Sequence, residues 1–113
     1  MTHYMHSFED GSMIVPDDEL PSVGENVRKV RVEAKKAGVW IFSAGLLTQA
    51  PSVVDTNGRV TNDPYPKTKK HLGGFVIVKV ASREEALKWA AKVASACRCS
   101  QEVFELAVVP TEE

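Results

Sequence analysis

Twice within 113 residues the chain sets a Ser-x-x-Glu box between two short runs of β-branched and aromatic residues. In such a box the serine and the glutamate each satisfy an N–H left without a partner at a helix start, so the box predicts where a helix begins. The first, Ser22 and Glu25, leads into Val23, Val27, Val30, Ala34 and Ala37 at helical spacing. Lys35 and Lys36 suit the negative end of that helix, and Gly38 is a natural stop. The second, Ser82 and Glu85, predicts a helix through Ala96 with Leu87, Ala90, Ala91 and Ala94 on one face. Residues 3–8, 39–47, 74–80 and 103–109 read as strands, the last stopped by Pro110. Val53 to Asp55 and Arg59 to Thr61, joined by Asn57-Gly58, read as a hairpin, since Asn-Gly tolerates the positive φ of a type I′ turn. The order is β-α-β, a small hairpin, then β-α-β. That predicts one α+β domain over residues 1–113, a ferredoxin-like split βαβ fold with an inserted hairpin and both helices on one face of an antiparallel sheet.

The strands do not alternate apolar and polar residues as a sheet with one wet face does. In residues 74–80, Phe75 and Ile77 point one way and Val76, Val78 and Val80 the other. In residues 39–47, strict alternation places Trp40, Phe42 and Leu46 on one face and Val39 and Ile41 on the opposite one. Two helices cover one face only, and an apolar patch of more than a few hundred Å² is rare on a monomer. A second copy of the same sheet is the simplest cover, so the pattern predicts a homodimer with a two-fold interface.

A net charge of −1 argues against direct nucleic-acid binding, which calls for a basic excess. No apolar run approaches the ~20 residues that span a bilayer, and the amino-terminal MTHYMHSFED lacks the basic and apolar stretches of a secretory signal. A cytoplasmic protein facing a small molecule or another protein is the expectation, with no membrane and no cofactor implied. Cys97 and Cys99, the only cysteines, read as small apolar residues at a helix-to-strand junction. A bridge between them would be strained, and a metal site would need further ligands such as His3, His6 and His71.

The chemistry-bearing stretch is residues 61–75, TNDPYPKTKKHLGGF. It offers Asp63, Lys69 and His71 within nine residues, with Tyr65 between. A carboxylate and an imidazole in one cleft divide proton removal and donation, while a lysine holds an anionic substrate. Asp63 or His6 is the candidate proton acceptor, His71 the donor and Lys69 the anion clamp; His6 joins them if the amino-terminal strand borders the loop. Tyr65 and Trp40 are candidate substrate contacts, Trp40 in a pocket between the sheet and its partner. Against this, Asp63 before Pro64 is an ordinary turn residue, the lysines an ordinary solvated face, and His71 a residue that merely caps the strand. Gly73-Gly74 reads as a close backbone approach or a bulge rather than a phosphate cradle, since no helix follows directly.

This stretch resembles the signature of the YCII-related (DGPF-domain) family, an Asp-Gly-Pro-Phe turn followed by Thr-Lys and Leu-Gly-Gly-Phe. Pro64 and Tyr65 stand at the turn's proline and phenylalanine, Thr68 and Lys69 at the Thr-Lys pair, and Leu72, Gly73, Gly74 and Phe75 match in full. Ala86, Leu87 and Trp89-Ala90-Ala91 look like the family's second helix. Asn62 and Asp63 depart from it, displacing the carboxylate by one position, and Lys67 stands where the family often has an acid. The resemblance implies a dimeric α+β barrel, two sheets facing each other, in a family with no single reaction. It leaves two functions open: acid–base chemistry on a small anionic or aromatic metabolite, or a non-catalytic metabolite-binding or regulatory dimer. Because some DGPF-type proteins are associated with alternative sigma factors, the second includes a link to transcription through such a partner.

Overall fold

The computed structural model describes residues 1–47, 51–61 and 71–109. Strand β1 (Thr2–Glu9) is followed by a short 3₁₀ turn, Asp17–Glu19, that runs into helix α1 (Leu20–Lys36). Ser22 therefore lies inside the helix and caps nothing. Pro21 explains the earlier start: lacking an N–H, it belongs in a first turn, where that N–H would have no partner anyway. Glu25 turns instead to Arg28, accepting hydrogen bonds of 3.1 and 2.8 Å from its guanidinium. The helix ends as its sequence predicts. Gly38, at φ 75°, and Val39 donate to the carbonyls of Lys35 and Ala34, a Schellman closure that a glycine makes without steric cost.

Strand β2 (Trp40–Gly45) follows, then the hairpin β3 (Val53–Val54) and β4 (Val60–Thr61), a separate two-stranded ribbon. Its turn is not type I′, because of the pair only Gly58 has a positive φ. Gly58 N–H donates to Asp55 O, and the Asp55 carboxylate accepts from the N–H groups of Asn57 and Arg59. That is a type I turn with a glycine bulge, fixed by the aspartate.

Strand β5 (Leu72–Val80) leads to helix α2 (Arg83–Cys97) and strand β6 (Glu102–Glu105). The second box forms: Ser82 Oγ accepts from Glu85 N–H at 3.2 Å, and Glu85 reaches back to Ala81 N–H. The face of α2 that meets the sheet carries Ala86, Ala90, Ala96 and Cys97, rotated from the predicted stripe, so that Leu87 and Ala91 lie exposed. Alanines let the helix sit close to the β-branched strand face of Val76, Val78 and Val80, and a leucine there would hold it off. The last strand is shorter than predicted; Leu106 N–H still donates to His3 O beyond its end, and Pro110 lies outside the described residues.

The four main strands form an antiparallel sheet in the order β2-β5-β1-β6. This is the ferredoxin-like arrangement: each helix crosses over a strand that the other half of the chain supplies. Both helices lie on one face, over a core of Tyr4, Ala34, Val39, Val78, Val80 and Ala86, with Trp40 and Trp89 packed at its margin. Lys92 sits over the Trp89 ring, 5.0 Å from its centroid.

One register feature reverses the alternation expected for β2. Trp40 pairs with Val78, but the next partners are Phe42 and Ile77, so Ile41 is an extra residue in a bulge. A one-residue slip sends everything beyond it to the other side of the sheet. Trp40 therefore faces the helices and Phe42 the open face.

Candidate functional site

Among the described residues, two hollows flank the end of the sheet where β5 begins, one on each face. Beneath the helices lies a cavity of about 360 Å³, within the range of small-ligand pockets. Val27, Val30 and Arg31 of α1 form one wall, Trp40 and Ser43 of β2 another, and Cys97 and Gln101 the far end. Most of this lining is apolar. Arg31 makes no hydrogen bond or ion pair among the described residues, although it is only half-exposed and sits four residues after Val27, on the flank of the helix stripe. A guanidinium held beside apolar walls is a ready partner for a planar anion.

On the open face a shallower cleft of about 230 Å³ is bordered by Met5, Ser7, Glu9, His71, Leu72 and Glu102. Asp10 N–H donates to His71 O at 2.8 Å, so β1 does border the loop as the acid–base reading requires. Its side chains do not all follow. Pairing sets His6 opposite Val76 and Val103, on the helix face, whereas His71 opens onto the other. His6 and His71 are therefore separated by the sheet. Trp40 belongs to the helix-side cavity and not to a space between two sheets. Asp63, Tyr65 and Lys69 lie outside the described residues. Sequence reading missed Arg31, Glu9 and Glu102. Arg31 was legible as a charge on the edge of an apolar stripe, and Glu102 only once β6 is seen to start one residue earlier than the apolar run.

His6 is 0% exposed, and neither ring nitrogen has a hydrogen-bond partner of normal geometry. Burial pushes its pKa below the ordinary 6.5, an effect that the Ala86 backbone offsets in part. At neutral pH the ring is thus neutral in the folded protein, and charging it favours the unfolded chain. Between the lowered folded value and 6.5 the unfolded state binds the extra proton, so stability is lost as the pH falls below about 6.5. Urea midpoints are expected to drop from neutral to mildly acid pH, with a flatter profile in His6→Leu. Equal slopes in the two proteins would show that His6 is not the titrating group.

Cys97, at the end of the cavity, and Cys99 are free and buried, their sulfurs 3.2 Å apart. Burial, then the neighbouring Cys99, pushes the Cys97 thiol up to about 11. Among the described residues no three His, Cys, Asp or Glu side chains gather as a metal site, and no helix is long and apolar enough to cross a membrane.

Comparison with known proteins bears on the whole chain. The family model described as YCII-related domain matches residues 3–108. The chain belongs to the YCII-related family. A search of curated proteins returns no match. The match extends through β1 and through β6. The ferredoxin-like sheet of this YCII-related domain is the frame that sets one hollow on each side of β5.

Proposed function

We propose that this YCII-related protein is a homodimer that binds a small, largely apolar or aromatic anion, a carboxylate being the simplest, in the helix-side cavity. The observation that carries the reading is Arg31, without a hydrogen bond or ion pair among the described residues, beside walls formed by Val27, Val30 and Trp40. Ser43 and Gln101 supply the neutral polar contacts that orient such a ligand. Among the described residues no histidine or carboxylate lines this cavity, and its one ionisable acid, Cys97, stays protonated at neutral pH. Binding therefore fits this hollow better than proton transfer does.

A second reading places acid–base chemistry on the open face, where His71 borders the same cleft as Glu9 and Glu102. In it His71 donates the proton and a carboxylate, Glu9 or Glu102, removes one. One titration separates the two. Medium-chain and aryl carboxylates, with their uncharged amides as controls, are added while tryptophan fluorescence is followed. Saturable binding of the acids is expected, weakened about 10- to 100-fold by Arg31→Gln, the worth of a charge-assisted hydrogen bond. If Arg31→Gln and Trp40→Phe leave binding unchanged while His71→Gln abolishes it, the ligand belongs to the open face and the cavity reading fails.

A further inference from the structure

Neither reading gives a role to the sulfurs of Cys97 and Cys99. Three observations show that they are placed and not merely packed. Helix α2 closes on Arg98, which at φ 57° is the one non-glycine residue with positive φ among the described residues. Such a conformation costs an L-residue roughly 1 kcal/mol and persists only where the surroundings hold it. Here it folds the chain back over the helix end, where Cys99 N–H donates to Ala94 O, and this return brings Cys99 Sγ to 3.2 Å from Cys97 Sγ. Second, Gln101 Nε2 lies 3.3 Å from Cys97 Sγ and 3.5 Å from Cys99 Sγ, and also donates to Cys99 O. The amide is buried against the pair even though its Oε1 finds no partner. Third, although both cysteines are buried, Cys97 and Gln101 line the cavity, which gives a small reagent a route to the sulfur.

We propose that Cys97, in the wall of the helix-side cavity, and Cys99 behind it form a reversible dithiol–disulfide pair, closed by a peroxide and opened by a thiol reductant. In the first step a thiolate attacks the peroxide: the O–O bond breaks, the sulfur takes one oxygen as a sulfenic acid, and the other oxygen leaves as water once protonated. In the second the neighbouring sulfur attacks the sulfenic sulfur, the S–S bond forms, the S–O bond breaks and a second water departs. The dithiol loses two electrons and two protons, and the peroxide is reduced. With a single residue between the cysteines the ring is tight, which makes the bridge easy to reduce and suits a reversible couple better than a structural cross-link. The high Cys97 pKa keeps thiolate scarce at neutral pH, so closure is slow there and quickens as the pH rises.

The test uses the native protein, reduced and then treated with hydrogen peroxide, followed by intact mass, thiol counting after denaturation and peptide mapping. The expected result is the joint loss of both thiols, a mass lower by two hydrogen atoms, an internal bridge in the peptide that holds both cysteines, and full recovery with dithiothreitol. In Cys99→Ser the first step has no second sulfur, so Cys97 accumulates as a sulfenic acid that a 1,3-diketone traps. Oxygen added to one sulfur in the native protein, a bond between chains, or two thiols that survive peroxide while the urea-unfolded chain closes its bridge would each overturn the proposal. None of these readouts depends on whether the cavity holds a metabolite.

Discussion

Replacing Gly73 by alanine is expected to destabilise the protein by about 1–3 kcal/mol, the cost of forcing a methyl group into a filled space, with a fall in Tm of several degrees. A Cβ on Gly73 would sit 2.9 Å from the backbone N and Cα of Asp10 and equally close to the Phe8 ring. The backbone cannot give way cheaply, because Asp10 N–H is bonded to His71 O and Leu46 N–H to Gly73 O. Gly73 is also the extra residue where the β1–β5 register shifts, Phe8 pairing with Gly74 and Glu9 with Leu72. Gly74→Ala meets the same wall in a softer form, since its Cβ would fall 2.6 Å from the end of the Phe8 ring, which can turn toward the cavity it lines. Gly24 is the control. Inside α1, with nothing within 4 Å of its Cβ, its change to alanine is expected to stabilise by about 0.5–1 kcal/mol. Urea denaturation of the three variants reads opposite signs from one substitution type. A Gly73→Ala midpoint at or above the parent's would show that this close approach is not a constraint.

The double glycine was legible in the sequence as a close approach because a strand has little other use for two glycines in a row. The end of the first helix, the start of the second and the overall order were legible for a similar reason: Gly38 and the Ser82 box act on their immediate neighbours. One failure was local: Ser22-x-x-Glu25 has the form of a box, yet the adjacent Pro21 moves the start ahead of it. The others depended on neighbours distant in sequence. Leu87 has the right spacing for the buried face of α2, yet the sheet beneath selects alanines. The bulge at Ile41 has no local signature, since the extra residue is defined by its partner strand, and it decides which face Trp40 and Phe42 occupy. The candidate site inherits that dependence on partner strands. Both histidine positions were visible, but only the pleat of β1, read against β5 and β6, puts His6 under the helices and leaves His71 on the other side.

If the proposed homodimer forms through the open face of the sheet, Phe42→Asp combined with Phe104→Asp is expected to split it. The pairings Phe42–Ile77, Ile77–Met5 and Met5–Phe104 set one apolar side chain from each main strand in a single row across the open face. Phe75, on the next row, has its ring centroid 6.0 Å from that of Phe42. Phe42 is 56% and Phe104 46% exposed in the single chain, at opposite ends of that row. Burying a side chain of this kind contributes about 1.5–3 kcal/mol, and in a two-fold interface each substitution counts twice. Two aspartates add the cost of desolvating charge, so the dissociation constant is expected to rise more than about a thousandfold. Neither residue belongs to the helix-face core, and the monomer should keep its helical circular dichroism. Sedimentation equilibrium decides: a parent dimer with a folded monomeric variant fits a second sheet covering this face. A parent that is monomeric across the accessible concentrations would leave the row open to another partner, and a variant that stays dimeric would move the interface elsewhere.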